Sequence, residues 1–163
     1  MSVAGLSGEC RFLPPQLTPL VGMPTIQISY LGDLRTQDTH LQSGTQIYTD
    51  APTDNQGRGE AFSPTDLVAN ALGTCILTTM AIFARRDGIE LLNSDASVTK
   101  IMSTEPPRRI ARIEIAMTLR ATTAEGTPLT DAQKAKLEKV AHTCPVAISL
   151  HPDLEQAVTI TWV

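Results

Sequence analysis

Aromatic side chains make up only 4% of this 163-residue sequence, and charged ones only 18%. A chain this poor in charge and 42% apolar buries a core and is not disordered. No basic run exceeds two residues, at Arg85-Arg86 and Arg108-Arg109, and the formal net charge is -4. Both facts argue against nucleic acid as the main partner. Cysteine is scarce and dispersed: Cys10, Cys75 and Cys144 make no disulfide framework. No CxxC and no Cys/His cluster has zinc spacing. The carboxylates form no obvious acid/base pair. Internal repeats and a second domain boundary are also lacking, so one domain, or one protomer of an oligomer, is expected. The N-terminus carries a single positive charge, Arg11, and no uninterrupted apolar core. It makes a poor signal peptide. Its prolines (Pro14, Pro15, Pro19) point to an extended arm, so residues 1–22 are read as an extension and 23–163 as the domain. The reducing cytoplasm is the default location.

What the chain does contain is one long apolar stretch. From Leu67 to Ala84 there are 18 residues without a charge, the lower edge of a membrane span. Asn70, Gly73, Thr74, Thr78 and Thr79 interrupt it, and no membrane partner is expected. A helix apolar on every side otherwise belongs to a core larger than one small domain supplies, which points to a dimer with a shared core. Its start is well marked. Ser63 is the N-cap, Pro64 the first helical residue, and Asp66 completes a capping box. Gly88 marks its end.

Around it the pattern alternates with period two. "MPTIQISYLG" reads as a half-buried strand, and "DLRTQDTHLQSGTQIYTDAP" as one or two more with a turn at Ser43-Gly44. Residues 53–62 are polar and glycine-rich, and are expected to be a mobile loop. "SDASVTKIM" and "IARIEIAMTLRA" read as strands, the second with Ile113, Ile115, Met117 and Leu119 on one face. Thr130 to Gln133 forms a second capping box before a helix carrying Leu137, Val140 and Cys144. Pro145 opens a short helical turn, and "AVTITWV" is a final strand. The order predicts an α+β fold with antiparallel pairing, because helices are too few to cross over between all strands.

Two thiols are candidates for chemistry. Cys75 has Val68, Ala71, Leu72, Ile76, Thr79 and Ile82 as helix neighbours. Such surroundings make a packed, inert thiol with a raised pKa, unless a cation arrives from elsewhere to stabilise the thiolate. Cys144 precedes a helix start, where unpaired N–H groups favour a thiolate, yet it also completes an apolar stripe. Both readings stay open for each. Cys10 lies in the arm and is read as incidental. His142, near Cys144, is read as a helix-end histidine in preference to a base.

Three segments carry a resemblance: "SPTDLVANALGTCILTTMAIFARRDGI", "PPRRIARIEIAMTL" and "HTCPVAISL". Together they resemble the OsmC/Ohr family, the osmotically induced protein C and organic hydroperoxide resistance proteins, over roughly Met23 to Val163. The resemblance implies an OsmC-like α+β fold: antiparallel sheets around a long buried central helix, in an intertwined homodimer. It also implies thiol-dependent reduction of organic hydroperoxides without metal, haem or other cofactor. By that likeness Cys75 is the peroxidatic nucleophile and Cys144 the resolving cysteine. Arg35, in "YLGDLR", steadies thiolate and peroxide, and an external dithiol, lipoyl-type in parts of the family, is the reductant.

One position departs from the pattern. Peroxidase members carry Asn-Pro-Glu-Glu-Leu at the helix start, with the first glutamate holding the arginine. Here the segment is Ser63-Pro64-Thr65-Asp66-Leu67, with Thr65 at that position. Asp66 and Glu60 are the substitutes at hand for pairing Arg35. Ten helical residues span about 15 Å, so a group at 65 acts on Cys75 only through a bend or across a subunit interface. The missing glutamate keeps two other readings in view: a non-enzymatic protein binding a small apolar ligand at the dimer interface, and a thiol–disulfide or electrophile-handling enzyme.

Overall fold

The structure, a computed structural model, describes Gly22 and residues 24–163. The remainder of the arm, with Cys10, lies outside the described residues. Among the described residues eight strands and three α-helices follow in the order β1 (Ile26–Gly32), β2 (Arg35–His40), β3 (Gln46–Asp50), α1 (Pro64–Arg86), β4 (Ile89–Leu91), β5 (Asp95–Met102), β6 (Ile110–Leu119), β7 (Ala121–Thr123), α2 (Asp131–Ala141), α3 (Pro145–Ser149) and β8 (Glu155–Trp162). The fold is α+β, and both strong helix starts form as the sequence predicts. Ser63 Oγ accepts the Asp66 N–H at 3.1 Å while Asp66 Oδ2 accepts the Ser63 N–H at 2.8 Å. Thr130 and Gln133 make the same reciprocal pair. These bonds satisfy N–H groups that the first helical turn leaves without partners. At the other end of α1, Gly88 takes φ +68°, the left-handed conformation that stops a helix and suits glycine.

The strands form three sheets. β1, β2 and β3 form an antiparallel meander, β4 pairs with β7, and β6 lies between β5 and β8. The expectation of antiparallel pairing holds for every pair but one: β8 runs parallel to β6. The reason is topological. α2 and α3 lie between β7 and β8 and supply the crossover a parallel neighbour requires. The three-residue strands β4 and β7 have no counterpart in the sequence reading, being too short to show periodicity. The segment read as a loop, residues 53–62, contains a single 3-10 turn at Thr53–Asn55.

The core is one cluster. α1 contributes Ala69, Leu72, Ile76, Met80 and Ala84, spaced three or four apart. β6 contributes Ile113, Ile115, Met117 and Leu119, all fully buried and alternating along the strand. α2 adds Leu137, Val140 and Ala141, and Cys144 and Ala147 close the cluster beside α3. Burying each of these larger aliphatic side chains contributes roughly 1.5–3 kcal/mol. The rest of α1 is not covered within one chain. Val68 and Ile82 are exposed, and only a third of the apolar stretch is buried, although by length and composition alone it could cross a membrane. The β1–β3 meander is barer still. Only Thr49 and Asp50 are buried in it, while Ile26, Ile28, Tyr30, Ile47 and Tyr48 are exposed.

Candidate active site

Cys75 lies at the middle of α1, half-buried, and Cys144 is fully buried at the N-cap of α3; neither is in a disulfide. Distant in sequence, the two thiols are near enough for each to shift the other's titration. Cys144 Sγ accepts the Ala147 N–H at 3.3 Å, so the thiol fills the capping role that serine or threonine fills elsewhere. Pro145 at the first helical position has no N–H of its own to satisfy. The next N–H, of Val146, favours the anionic form of Cys75.

The two sulfurs differ in acidity. Burial alone would push the Cys75 thiol up, but the Val146 N–H, the Cys144 thiol and the Thr79 hydroxyl, 4.0 Å away, outweigh it and bring its pKa below that of an ordinary cysteine. Cys144 moves the other way. Burial is the largest cause, and a negative charge on Cys75 adds to it. Of the two, Cys75 is therefore the more readily deprotonated and Cys144 the more reluctant. This corrects the expectation from helix neighbours alone, which raises the Cys75 pKa unless a cation is delivered. Neutral donors from α3 lower it within a single chain. The sequence reading places a helix start at Cys144-Pro145 but assigns its N–H groups to Cys144; the Val146 N–H also favours the Cys75 anion, because a helix start aims its N–H groups at whatever packs against it.

Arg35 is built into a second constellation. It opens β2, and its guanidinium forks onto Asp50 of β3, with Nε to Oδ1 at 2.6 Å and Nη2 to Oδ2 at 2.9 Å. Nη2 also reaches Glu60 Oε2 at 2.8 Å. Asp50 is 1% exposed, and its Oδ2 accepts the Glu60 backbone N–H at 3.0 Å. The Arg35 guanidinium outweighs burial and holds the Asp50 carboxyl down at about 2. The same pairing, with Asp50 the main cause, raises the already high pKa of Arg35. Both groups stay charged whenever the protein is folded near neutrality.

Of the two carboxylates offered by the sequence as partners of Arg35, Glu60 makes the contact and Asp66 does not. Asp66 is committed to the helix cap, and its Oδ1 is paired with Lys100 Nζ at 2.7 Å. Burial works to raise its pKa, but Lys100 and Ser63 lower it overall. Lys100 Nζ also donates to Thr65 Oγ1 at 2.8 Å, so the helix start that carries glutamate in peroxidase members faces a lysine here. Asp50 was not singled out by the sequence, because nothing in "YTDAP" distinguishes a buried aspartate from a turn residue. Within one chain no polar contact links Arg35 to Cys75. Among the described residues no group of three or more Cys, His, Asp or Glu side chains has the geometry of a metal site. His142, at the end of α2, is exposed.

The OsmC-like protein family model matches residues 57–159, which include both cysteines, the helix between β3 and β4, and Glu60. The chain belongs to the OsmC-like family. A crystal structure from Psychrobacter arcticus 273-4, of a protein named for osmotic stress induction and detoxification response, is 47% identical, with TM-score 0.77 over 86% of this chain and 97% of that one. Two more distant OsmC-type structures share the fold. One is an organic hydroperoxide resistance protein OsmC from Legionella pneumophila, 16% identical, with TM-score 0.59 over 85% of this chain and 98% of that one. The other is an organic hydroperoxide resistance protein from Elizabethkingia anophelis, 13% identical, with TM-score 0.63 over 86% and 98%. No curated protein matches the chain.

Proposed function

We propose that this OsmC-like protein is a thiol-dependent peroxidase that reduces organic hydroperoxides through Cys75 and Cys144. The observation that carries this reading is the paired thiols with opposite shifts, Cys75 lowered and Cys144 raised. In the first step the Cys75 thiolate attacks the distal oxygen of R–O–OH. The O–O bond breaks, the sulfur becomes a sulfenic acid, and the alkoxide takes a proton and leaves as alcohol. In the second, the Cys144 sulfur displaces the hydroxyl of the sulfenic acid, forming the Cys75–Cys144 disulfide and releasing water. An external dithiol, for which a lipoyl-type compound is the candidate, then returns both thiols by exchange. The names of the Legionella and Elizabethkingia proteins, both hydroperoxide resistance proteins, support a peroxide-related role for this family fold.

The site is completed by a second copy of the chain. The exposed apolar side chains of the β1–β3 meander and the uncovered face of α1 support a homodimer in which that meander brings an Arg35 to Cys75. A guanidinium suits that place because its charge does not titrate and its fork can hold thiolate and peroxide oxygen together. We place this chemistry in the reducing cytoplasm, where resting thiols stay reduced.

A second reading has its own support. A cavity of about 410 Å³, lined by Tyr30, Leu34, Ala51, Pro64, Thr65 and Met102 among others, is within the size range of small-ligand sites. It fits a protein that binds an apolar molecule without turning it over. The test is to mix reduced protein with cumene hydroperoxide or hydrogen peroxide and follow both thiols and peroxide. Rapid loss of two thiols with the organic peroxide, abolished in Cys75→Ser and strongly slowed in Arg35→Ala, is the expected result. Thiols that survive excess organic peroxide would transfer the case to the binding reading.

A further inference from the structure

The sequence leaves Arg35 without the helix-start glutamate, yet the structure gives it a more buried partner. We infer that Asp50 is the positioning residue for Arg35, replacing the missing glutamate at position 65; the inference rests on the peroxidase reading for its link to catalysis. Three observations support it. Asp50 meets the guanidinium with both oxygens, at 2.6 and 2.9 Å, whereas Glu60 offers one oxygen from a side chain that is 63% exposed. Solvent screens the Glu60 contact and spares the Asp50 one. Asp50 is itself held, by the Glu60 backbone N–H at 3.0 Å. Moreover, these bonds use Nε and Nη2 only, so the Nη1 edge has no hydrogen-bond partner among the described residues. A guanidinium fixed on one edge and open on the other presents two donors in a set direction.

The turn before Arg35 is arranged to the same end. Asp33 and Leu34 take φ +50° and +59°, and Leu34 occupies a turn position where glycine is favoured. The strained conformation is clamped. Arg58 Nη2 binds Asp33 Oδ2 at 2.6 Å, the Tyr30 hydroxyl accepts the Leu34 N–H at 3.2 Å, and the Leu34 carbonyl accepts the Ala51 N–H at 3.0 Å. Strain held by several contacts next to a charged group marks a constrained site. Asp50 does not touch Cys75 and acts through Arg35.

The experiment compares wild type, Asp50→Asn, Glu60→Gln, Arg35→Ala and the Asp50→Asn/Arg35→Ala double variant, using the full chain and cumene hydroperoxide. Asp50→Asn should lose at least tenfold in kcat/KM, Glu60→Gln less, and the double variant should match Arg35→Ala because both remove one function. The Arg35 Nε–H resonance in ¹⁵N-labelled protein should be sharp in wild type and in Glu60→Gln, and broadened in Asp50→Asn. Activity of Asp50→Asn within twofold of wild type, a double variant clearly weaker than Arg35→Ala, or an unchanged Nε–H resonance would each overturn the inference. If wild type consumes no peroxide, the peroxidase reading fails alone and the resonance decides the role of Asp50. If Asp50→Asn does not fold, Asp50→Glu carries the test. It keeps the charge but moves the carboxylate that grips the guanidinium, so a tenfold loss supports the inference and full activity overturns it.

Discussion

Oxidation should stabilise this protein, and the size of the effect follows from where the cysteines lie. Cys75 and Cys144 are 69 positions apart in the chain. Closing a loop of that length removes unfolded-state entropy worth about 4.4 kcal/mol at 25 °C in the chain-entropy treatment. Against this stands the α3 cap, in which Cys144 Sγ accepts the Ala147 N–H. If disulfide formation undid that cap entirely, the cost would be about 1 kcal/mol. A net gain of about 3.4 kcal/mol remains. For a chain of this length it corresponds to a Tm rise of about 7–14 °C. The assay is calorimetry on protein reduced and desalted without oxygen, before and after one equivalent of cumene hydroperoxide, with thiols counted in both samples. Cys144→Ser should show no such rise. If both thiols disappear into an intramolecular bond and Tm stays level or falls, the sulfurs do not meet without rearranging the core. The two-thiol geometry would then be refuted.

Three other outcomes are expected. Cys144→Ala removes a group that favours the Cys75 thiolate, so the pH profile of Cys75 alkylation by iodoacetamide should move to higher pH; an unmoved profile would mean that Cys144 does not contribute. Asp50 has its pKa lowered from 3.8 to about 2, so its charge stabilises the folded state above about pH 4, and that contribution is lost as pH falls towards 2. Urea unfolding should therefore show the gap between wild type and Asp50→Asn narrowing as pH falls from 5 to 2; a constant gap would contradict the assignment. A Cβ built on Gly57 would sit 1.6 Å from the Ala51 carbonyl oxygen, so Gly57→Ala must displace the segment that carries Glu60. Overpacking of this kind costs about 1–3 kcal/mol, to be read from chemical denaturation, and should be accompanied by lower peroxidase activity.

Local rules carried much of the fold. Ser63-Pro64-Thr65-Asp66 and Thr130 to Gln133 mark helix starts that can be read locally, because a side-chain oxygen three residues from a backbone N–H can close the cap. The alternation of Ile113, Ile115, Met117 and Leu119 selects a face before any partner is known. Cys75 and Cys144 stood out as candidate thiols, but their redox roles, and Arg35 itself, were legible only through the resemblance to a family.

Tertiary structure decided what those residues do to one another. That Cys75 has the lower pKa depends on α3 presenting Val146 and Cys144 to the middle of α1, a contact between segments far apart in the chain. That Arg35 pairs with Asp50 follows from the β2–β3 register, in which residues 35 and 50 are directly opposed. The parallel placement of β8 depends likewise on how α2 and α3 pack. Capping and alternation act over three or four residues and can be read from a string. The acidity of a thiol and the partner of a guanidinium depend on distances through space, which the order of residues does not state.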